Sequence, residues 1–200
     1  MARNLAEKHF ISEAEYLAGE RISEIKHEYI DGEVYAMAGA SRSHNIIAST
    51  IARKFGNHLE NTPCITFSSD MKVKAEDCFF YPDVSVVCDD KQGDDYFTEA
   101  PLIIVEVMSK STRRRDKSTK FQAYKTLLSL QEYVLIDQDY VEIEVCRRSE
   151  NWFPTRYFLG DEVRFESIGL TLPVADIYQR VDNEEMREYF QQLAIEKNEV

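Results

Sequence analysis

The sequence predicts an α/β fold in which helices flank a central mixed β-sheet. Apolar residues between positions 43 and 59 recur with the period of an amphipathic helix. Short β-rich runs follow, and a second long helix, from residue 112 or 115 to residue 130, separates them from later strands. Helices, a meander, a crossover helix and further strands together indicate an α/β sandwich around a mixed sheet.

Local signals predict the individual elements. Ser12 and Glu15 form a capping box, so a helix is expected from there to about Leu17. The turn residues Asp31 and Gly32 lie between two β-rich runs and predict a hairpin over residues 29–35. Other strands are predicted at residues 64–68, 71–75, 84–88, 102–108, 133–136, 141–147 and 155–159, and a terminal helix at about 183–197.

The length and composition indicate one domain over residues 1–200, with its core at about 10–180. The chain has 200 residues, of which 44% are hydrophobic and 30% charged, which is ordinary for a globular protein. No apolar run approaches the roughly 20 residues that span a bilayer, so no membrane partner is expected. Residues 1–8 contain no apolar signal segment, and a cytoplasmic location is therefore expected.

The charge distribution is uneven. A net charge of −12 argues against a general nucleic-acid coat protein, which should be basic. One segment differs, because residues 110–125 hold seven cations and one acid, Asp116, for a local charge of +6. The sequence therefore allows an enzyme that binds an anionic substrate through this patch.

Four cysteines occur, at positions 64, 78, 88 and 146. None has the C-x-x-C spacing of a zinc site. Three of them lie in strand-like runs, so buried, reduced thiols are expected.

Two carboxylates set into apolar runs are the strongest functional signal. Asp83 begins the run 83–88, and Glu106 lies near the end of the run 102–108. A buried carboxylate is costly unless it is paired or binds a metal. If the two strands pair antiparallel, the two acids meet at one edge of the sheet. Oxygen ligands, including the Val107 carbonyl, would suit Mg²⁺ or Mn²⁺.

Structural explanations of the same residues remain open at this point. Asp83 can cap a turn, and Glu106 can pair with an arginine of the basic segment. Asp116, Lys120 and Tyr124 share one helix face, but an exposed Asp116–Lys120 pair would contribute only about 0.3–0.5 kcal/mol. His44, near a helix start, is more often structural than catalytic, although it can contact a phosphate.

A wider pattern of residues runs through most of the chain. Its members are the residues at 29–38, His44, Tyr81-Pro82-Asp83-Val84, Val105 to Ser109, Asp116, Lys120, Tyr124 and Glu132-Tyr133. Together they resemble the Uma-type endonuclease family of the PD-(D/E)xK superfamily. The resemblance covers about residues 10–180 and implies a restriction-endonuclease-like core. One position departs from the superfamily pattern, because Met108 stands where a lysine is usual.

The resemblance implies metal-dependent hydrolysis of nucleic-acid phosphodiesters, with DNA as the expected substrate and a homodimer as the expected assembly. Asp83 and Glu106 are the expected ligands of Mg²⁺ or Mn²⁺, together with the Val107 carbonyl. Lys120, on the next helix, is the candidate for the displaced lysine. Glu28 is the expected additional catalytic acid, and Glu33 is the less favoured candidate for that role. The residues expected to bind flanking phosphates are Arg113, Arg114, Arg115 and Lys117. The alternative is an inactive nuclease fold that binds nucleic acid or protein.

Overall fold

Two β-sheets lie face to face in the computed structural model, which describes residues 10–88 and 93–198. The first nine residues, on which the expectation of no signal segment rests, lie outside that range. The helices are α1 (Glu13–Glu20), α2 (Arg42–Leu59), α3 (Arg113–Arg115), α4 (Phe121–Thr126), α5 (Val174–Ile177) and α6 (Glu184–Asn198). A π-helical turn (Asp116–Lys120) joins α3 to α4, and two short 3-10 turns span Arg148–Glu150 and Glu166–Ile168.

The chain contributes strands to two larger sheets and one hairpin. The strands are β1 (His27–Ile30), β2 (Glu33–Ala36), β3 (Cys64–Ser68), β4 (Lys72–Ala75), β5 (Cys78–Phe80), β6 (Val84–Cys88), β7 (Phe97–Thr98), β8 (Pro101–Met108), β9 (Glu132–Asp137), β10 (Ile143–Arg147), β11 (Pro154–Tyr157), β12 (Glu162–Phe165) and β13 (Leu170–Pro173).

The six-stranded sheet has the order β11-β10-β9-β8-β6-β3 and is mixed. Strands β8 and β9 are parallel and are joined by the α3–α4 crossover. Strands β6 and β8 are antiparallel, with Val84 opposite Val105, as expected from the sequence. The predicted α/β fold with a mixed sheet and flanking helices is confirmed.

Alternation along β8 divides its side chains between two cores. Val105 and Val107 pack with Ile47 and Ile51 of α2, while Ile104 and Met108 pack on the opposite face. That second core also contains residues of α4 and of the five-stranded sheet β2-β1-β5-β4-β7. Glu106 shares the face of Ile104 and Met108, so it lies between the two sheets.

The hairpin β1–β2 forms at the predicted Asp-Gly turn. Asp31 and Gly32 both have positive φ, at 47° and 85°. A Cβ at Gly32 would lie 2.5 Å from Cδ1 of the exposed Phe10 side chain, so that ring would have to move, and the positive φ would strain any other residue there. The hairpin sets the register that places Glu28 opposite Tyr35, and Glu28 lies within β1 rather than before it.

The second long helix differs from its prediction. It ends at Thr126 instead of residue 130, and the π-helical turn interrupts it. Leu127 has extended backbone with ψ of 115°, yet its side chain is buried, whereas Leu128 is 87% exposed. Leu127 and Leu128 extended the apolar spacing of the predicted helix, but they lie in the turn that follows α4, where only Leu127 packs into the core. Strands β5, β7, β12 and β13, of two to four residues each, lie outside the strands predicted from the sequence.

The expectation of four reduced cysteines is wrong for two of them. Antiparallel pairing of β3 and β6 places Cys64 directly opposite Cys88, with their Cα atoms 4.1 Å apart, and the two form a disulfide. Local sequence could not reveal this pairing, because it depends on the register between strands that are 24 residues apart. Cys78 and Cys146 are buried free thiols, as expected.

Across the residues that the structure describes, no helix has the length and apolar character needed to cross a bilayer.

Candidate active site

Glu106 is the centre of a buried polar cluster between the two sheets. Its side chain is 4% exposed. The Lys120 ammonium and the Tyr124 hydroxyl both donate to Glu106 Oε1, each at 3.1 Å. Glu106 therefore pairs with a lysine from the crossover segment and not with an arginine.

Lys120 joins three carboxylates from three different elements. Its Nζ lies 2.7 Å from Glu28 Oε1, 3.1 Å from Glu106 Oε1 and 3.6 Å from Asp116 Oδ1. All four side chains are at most 7% exposed. The Asp116–Lys120 contact is thus part of a buried network, which excludes the exposed surface pair considered above.

The local helix geometry brings Asp116 and Lys120 to the cluster. Both residues belong to the π-helical turn, a rare conformation that is frequent at functional sites. Tyr124 follows one turn later on the same face, as the spacing predicted. The Tyr133 hydroxyl donates to the Asp116 carbonyl at 3.0 Å and supports this turn from β9.

Burial dominates the protonation of the cluster. Burial raises the pKa of Glu106 well above the usual value. The positive charge of Lys120 acts to lower this pKa, whereas the negative charges of Asp116, Asp83 and Glu28 raise it further. Burial likewise raises the Asp116 pKa, again opposed by Lys120. For Lys120, burial alone would lower the pKa, but the surrounding carboxylates outweigh it and raise it. Lys120 is therefore a permanent cation at neutral pH.

Asp83 lies at the entrance to β6, beside the end of β8. Extending the β6–β8 register by one residue places Asp83 opposite Glu106. Asp83 Oδ2 accepts a hydrogen bond from the Val107 amide at 2.7 Å and lies 3.1 Å from His44 Nε2. Asp83 thus joins the end of β8 to the start of α2 instead of capping a local turn.

His44 contacts the site more closely than the sequence indicated. Ser41 caps α2 by accepting from the His44 amide at 3.1 Å, which fixes the first turn of that helix beside Asp83. The other ring nitrogen, Nδ1, is buried and has no hydrogen-bond partner within the described ranges. The sequence signal was its place in the family pattern, but only the contact with Asp83 shows its relation to the site.

The charges of the site leave an excess of negative charge. Arg115 Nη1 lies 3.3 Å from Glu28 Oε2, so two cations face four carboxylates. Counted in their ionised forms, the four carboxylates exceed the two cations by two negative charges. A single divalent cation matches that excess.

The donor set fits a hard divalent cation with few protein ligands. The contacts found above use Oδ2 of Asp83 and Oε1 of Glu106, which leaves the other oxygen of each carboxylate for a metal. In a strand the N–H and C=O of one residue point to the same side, so the Val107 carbonyl faces Asp83. No group of three or more metal-type side chains occurs in the described residues. Mg²⁺ commonly uses only one or two carboxylates and retains its waters, so two are sufficient.

The basic segment is more strongly paired than its composition indicated. Arg113 pairs with Asp137, and Lys117 Nζ lies 2.9 Å from Glu144 Oε2. Arg114 is exposed, and Arg115 lies against Glu28. The predicted phosphate contacts of these four residues stay predictions, although three of them already have carboxylate partners.

Comparison with solved structures finds a protein that shares this fold. A crystal structure described as a putative nuclease belonging to DUF820, from Anabaena variabilis, matches with a TM-score of 0.72 at 20% identity. The match covers 84% of this chain and 98% of that one. At this identity the similarity shows the fold alone, and it confirms the expected nuclease-like architecture.

Sequence comparison identifies the family. Residues 13–175 match the family model "Uma2: Putative restriction endonuclease", so the chain belongs to the Uma2 family. Two uncharacterized proteins of Synechocystis are similar over most of their length. Protein slr1290 is 37% identical to this chain, and the match covers 84% of this chain and 92% of slr1290. Protein sll1609 is 33% identical, and the match covers 78% of this chain and 92% of sll1609.

Proposed function

We propose that this protein hydrolyses phosphodiester bonds in nucleic acid and uses Mg²⁺ or Mn²⁺ as a cofactor. The observation that carries the proposal is the pairing of Asp83 and Glu106 across neighbouring strands, with a buried lysine on Glu106. Membership of the family described as "Putative restriction endonuclease" supports the same class of reaction.

Asp83 and Glu106 are the proposed metal ligands, with the Val107 carbonyl as a third. Contacts to one oxygen hold each carboxylate in place and leave its second oxygen for the metal. Oδ2 of Asp83 contacts the Val107 amide and His44. Oε1 of Glu106 accepts from Lys120 and Tyr124. Such fixing holds ligands ready for a cation without reorganisation. A bound divalent cation supplies Lewis-acid chemistry, because it lowers the pKa of water and polarises a phosphoryl oxygen.

Lys120 is the proposed substitute for the lysine that Met108 replaces. Its ammonium is permanently charged and held by Glu28, Glu106 and Asp116, so it stabilises negative charge that develops on a phosphate beside Glu106. Glu28 acts through Lys120, since it makes the shortest of the three contacts. Glu33 lies elsewhere on the hairpin, with its carboxylate accepting from the Tyr35 hydroxyl at 2.5 Å.

The substrate, assembly and location are part of the same proposal. We expect DNA as substrate and a homodimer as the active assembly, since two sites can cut two strands, and a cytoplasmic location. The basic residues Arg113, Arg114, Arg115 and Lys117 would hold flanking phosphates in a salt-sensitive manner. Light scattering after gel filtration measures the assembly, and cleavage of matched DNA and RNA substrates measures the preference.

The decisive test compares ligand variants with a matched control. We expect Asp83→Ala and Glu106→Gln to lose at least about 100-fold in the rate of DNA cleavage in Mg²⁺ or Mn²⁺. Glu162→Gln removes an exposed acid of β12 and should leave the rate unchanged. Cleavage by Asp83→Ala at the wild-type rate would refute the proposal.

Calorimetry separates this proposal from the inactive-scaffold alternative. Met108 at the usual lysine position is the observation that favours the alternative. An enzyme should bind Mn²⁺ with an affinity that falls on Glu106→Gln. A binding module should show no Mn²⁺ binding that depends on Glu106, while it still binds nucleic acid or a protein.

A further inference from the structure

A groove on the outer face of α2 carries positive charge in an otherwise acidic protein. It has a volume of about 550 Å³ and lies between α2 and the segment after α5. Its charged and amide-bearing lining residues are Arg42, Asn45, Arg53, Asp176, Gln179 and Arg180. Ser49 and Thr50 add hydroxyl groups, so the groove offers many hydrogen-bond donors.

The helix period explains why these residues face outward together. Positions 42, 45, 46, 49 and 53 follow spacings of three, four and seven residues along one side of α2. The residues that pack into the core, Ile47, Ile51 and Phe55, occupy the opposite side. Of the groove residues on α2, Ile46 packs partly against the core, whereas Arg42 and Arg53 are exposed and do not contribute to it.

The three arginines of the groove have no protein partner among the residues that the structure describes. Arg42, Arg53 and Arg180 are exposed, and no hydrogen bond or ion pair of their side chains occurs within residues 10–88 and 93–198. This differs from the basic segment, where Arg113, Lys117 and Lys120 are paired with carboxylates. The groove thus retains free positive charge despite the net charge of −12.

One acid lines the groove, but it is already compensated. Asp176 Oδ2 lies 2.7 Å from Lys54 Nζ, and its side chain is 46% exposed. The pair contributes no net charge, so the three guanidinium groups determine the sign of the surface. An anionic ligand is the chemistry that this surface complements.

The length of the groove fits a polymer better than a single ion. Arg42 and Arg53 are eleven residues apart on α2, which corresponds to roughly 16 Å along the helix axis. That distance spans about five nucleotide steps of one strand of a duplex. Arg42 lies at the end of α2 that holds His44 beside Asp83, so a strand in the groove would continue towards the candidate active site.

We infer that this groove binds the phosphate backbone of nucleic acid through Arg42, Arg53 and Arg180, as a docking site outside the catalytic cluster. The inference rests on the proposed function for its choice of ligand. The contacts are to phosphates only, so binding there is independent of base sequence and sensitive to salt. The groove holds a substrate strand while the acids of β6 and β8 act elsewhere on it.

Binding measured without cleavage tests the groove. Fluorescence anisotropy with a labelled 20-base-pair DNA in EDTA compares wild type with Arg42→Gln/Arg53→Gln/Arg180→Gln. Loss of three phosphate contacts should reduce the slope of log affinity against log salt by about 2.7. Between 50 and 200 mM salt, the wild-type affinity should therefore fall about 40-fold more than that of the variant.

A control variant removes the same charge at other exposed positions. Arg21→Gln/Arg164→Gln/Arg187→Gln should keep the wild-type slope. Equal slopes for wild type and the groove variant, or an equal loss in the control, would overturn the inference. Cleavage in Mg²⁺ is measured separately. If the wild type cleaves DNA and the groove variant binds DNA with the wild-type salt dependence, only the inference about the groove is refuted. A wild type that neither binds nor cleaves nucleic acid refutes both proposals.

Discussion

Replacing Lys120 by Met removes one charge from the buried cluster and keeps the side-chain volume close to the original. The change leaves Glu28, Glu106 and Asp116 without the ammonium that all three contact. Removing one partner of a buried ion pair costs about 3–5 kcal/mol. For a chain of this length, that corresponds to a decrease in Tm of roughly 6–20 °C.

The pH dependence of this loss has a defined sign. Without Lys120, the pKa of Glu106 rises further above its unfolded value, because burial is no longer opposed. A carboxyl whose pKa is higher in the folded state than in the unfolded state lowers the free energy of unfolding wherever the unfolded chain would be ionised. This cost disappears when the pH falls below the pKa of the unfolded state. The difference in unfolding free energy between variant and wild type should therefore shrink as the pH falls from 7.5 towards 5.

Urea unfolding followed by circular dichroism measures this difference. Lys117→Met is the matched control, because Lys117 also pairs with an acid but is 33% exposed, so the loss should be at most about 1 kcal/mol. Adding Glu106→Gln to Lys120→Met should recover about 1–3 kcal/mol through the removed charge. A Lys120→Met protein as stable as wild type at pH 7.5, or a double variant less stable than the single one, would refute the reasoning.

Three further predictions concern single contacts. Reduction of the Cys64–Cys88 disulfide should lower the unfolding free energy by about 3–4 kcal/mol; thiol titration of the unfolded protein should give two thiols before reduction and four after it. Tyr124→Phe removes a donor to a buried carboxylate and should cost about 1.5–3 kcal/mol in urea unfolding, whereas an unchanged midpoint would contradict that contact. Ser12→Ala removes the α1 cap and should lower the Tm by roughly 2–4 °C; an unaltered Tm would show that this helix end does not contribute.

Local patterns in the sequence determined the elements and the chemistry of the site. The Asp31-Gly32 turn gave the hairpin, because few residues adopt positive φ there. Alternation along β8 placed Glu106 on the face of Ile104 and Met108. Antiparallel pairing of β6 and β8 then brought Asp83 opposite Glu106, as expected. The turn and the alternation depend on neighbouring residues, so the sequence carries them directly. The antiparallel pairing was a condition of the prediction, and the fold meets it.

Only the tertiary structure decided which distant groups complete the site. Glu28 reaches Lys120 because the five-stranded sheet packs over β8, and His44 reaches Asp83 because α2 packs on the other face. The disulfide depends on a strand register, which no local signal specifies. Pairing of the basic segment with acids of β9 and β10 likewise arises from packing. Periodicity shows which side of an element is buried, but it does not show what lies against that side.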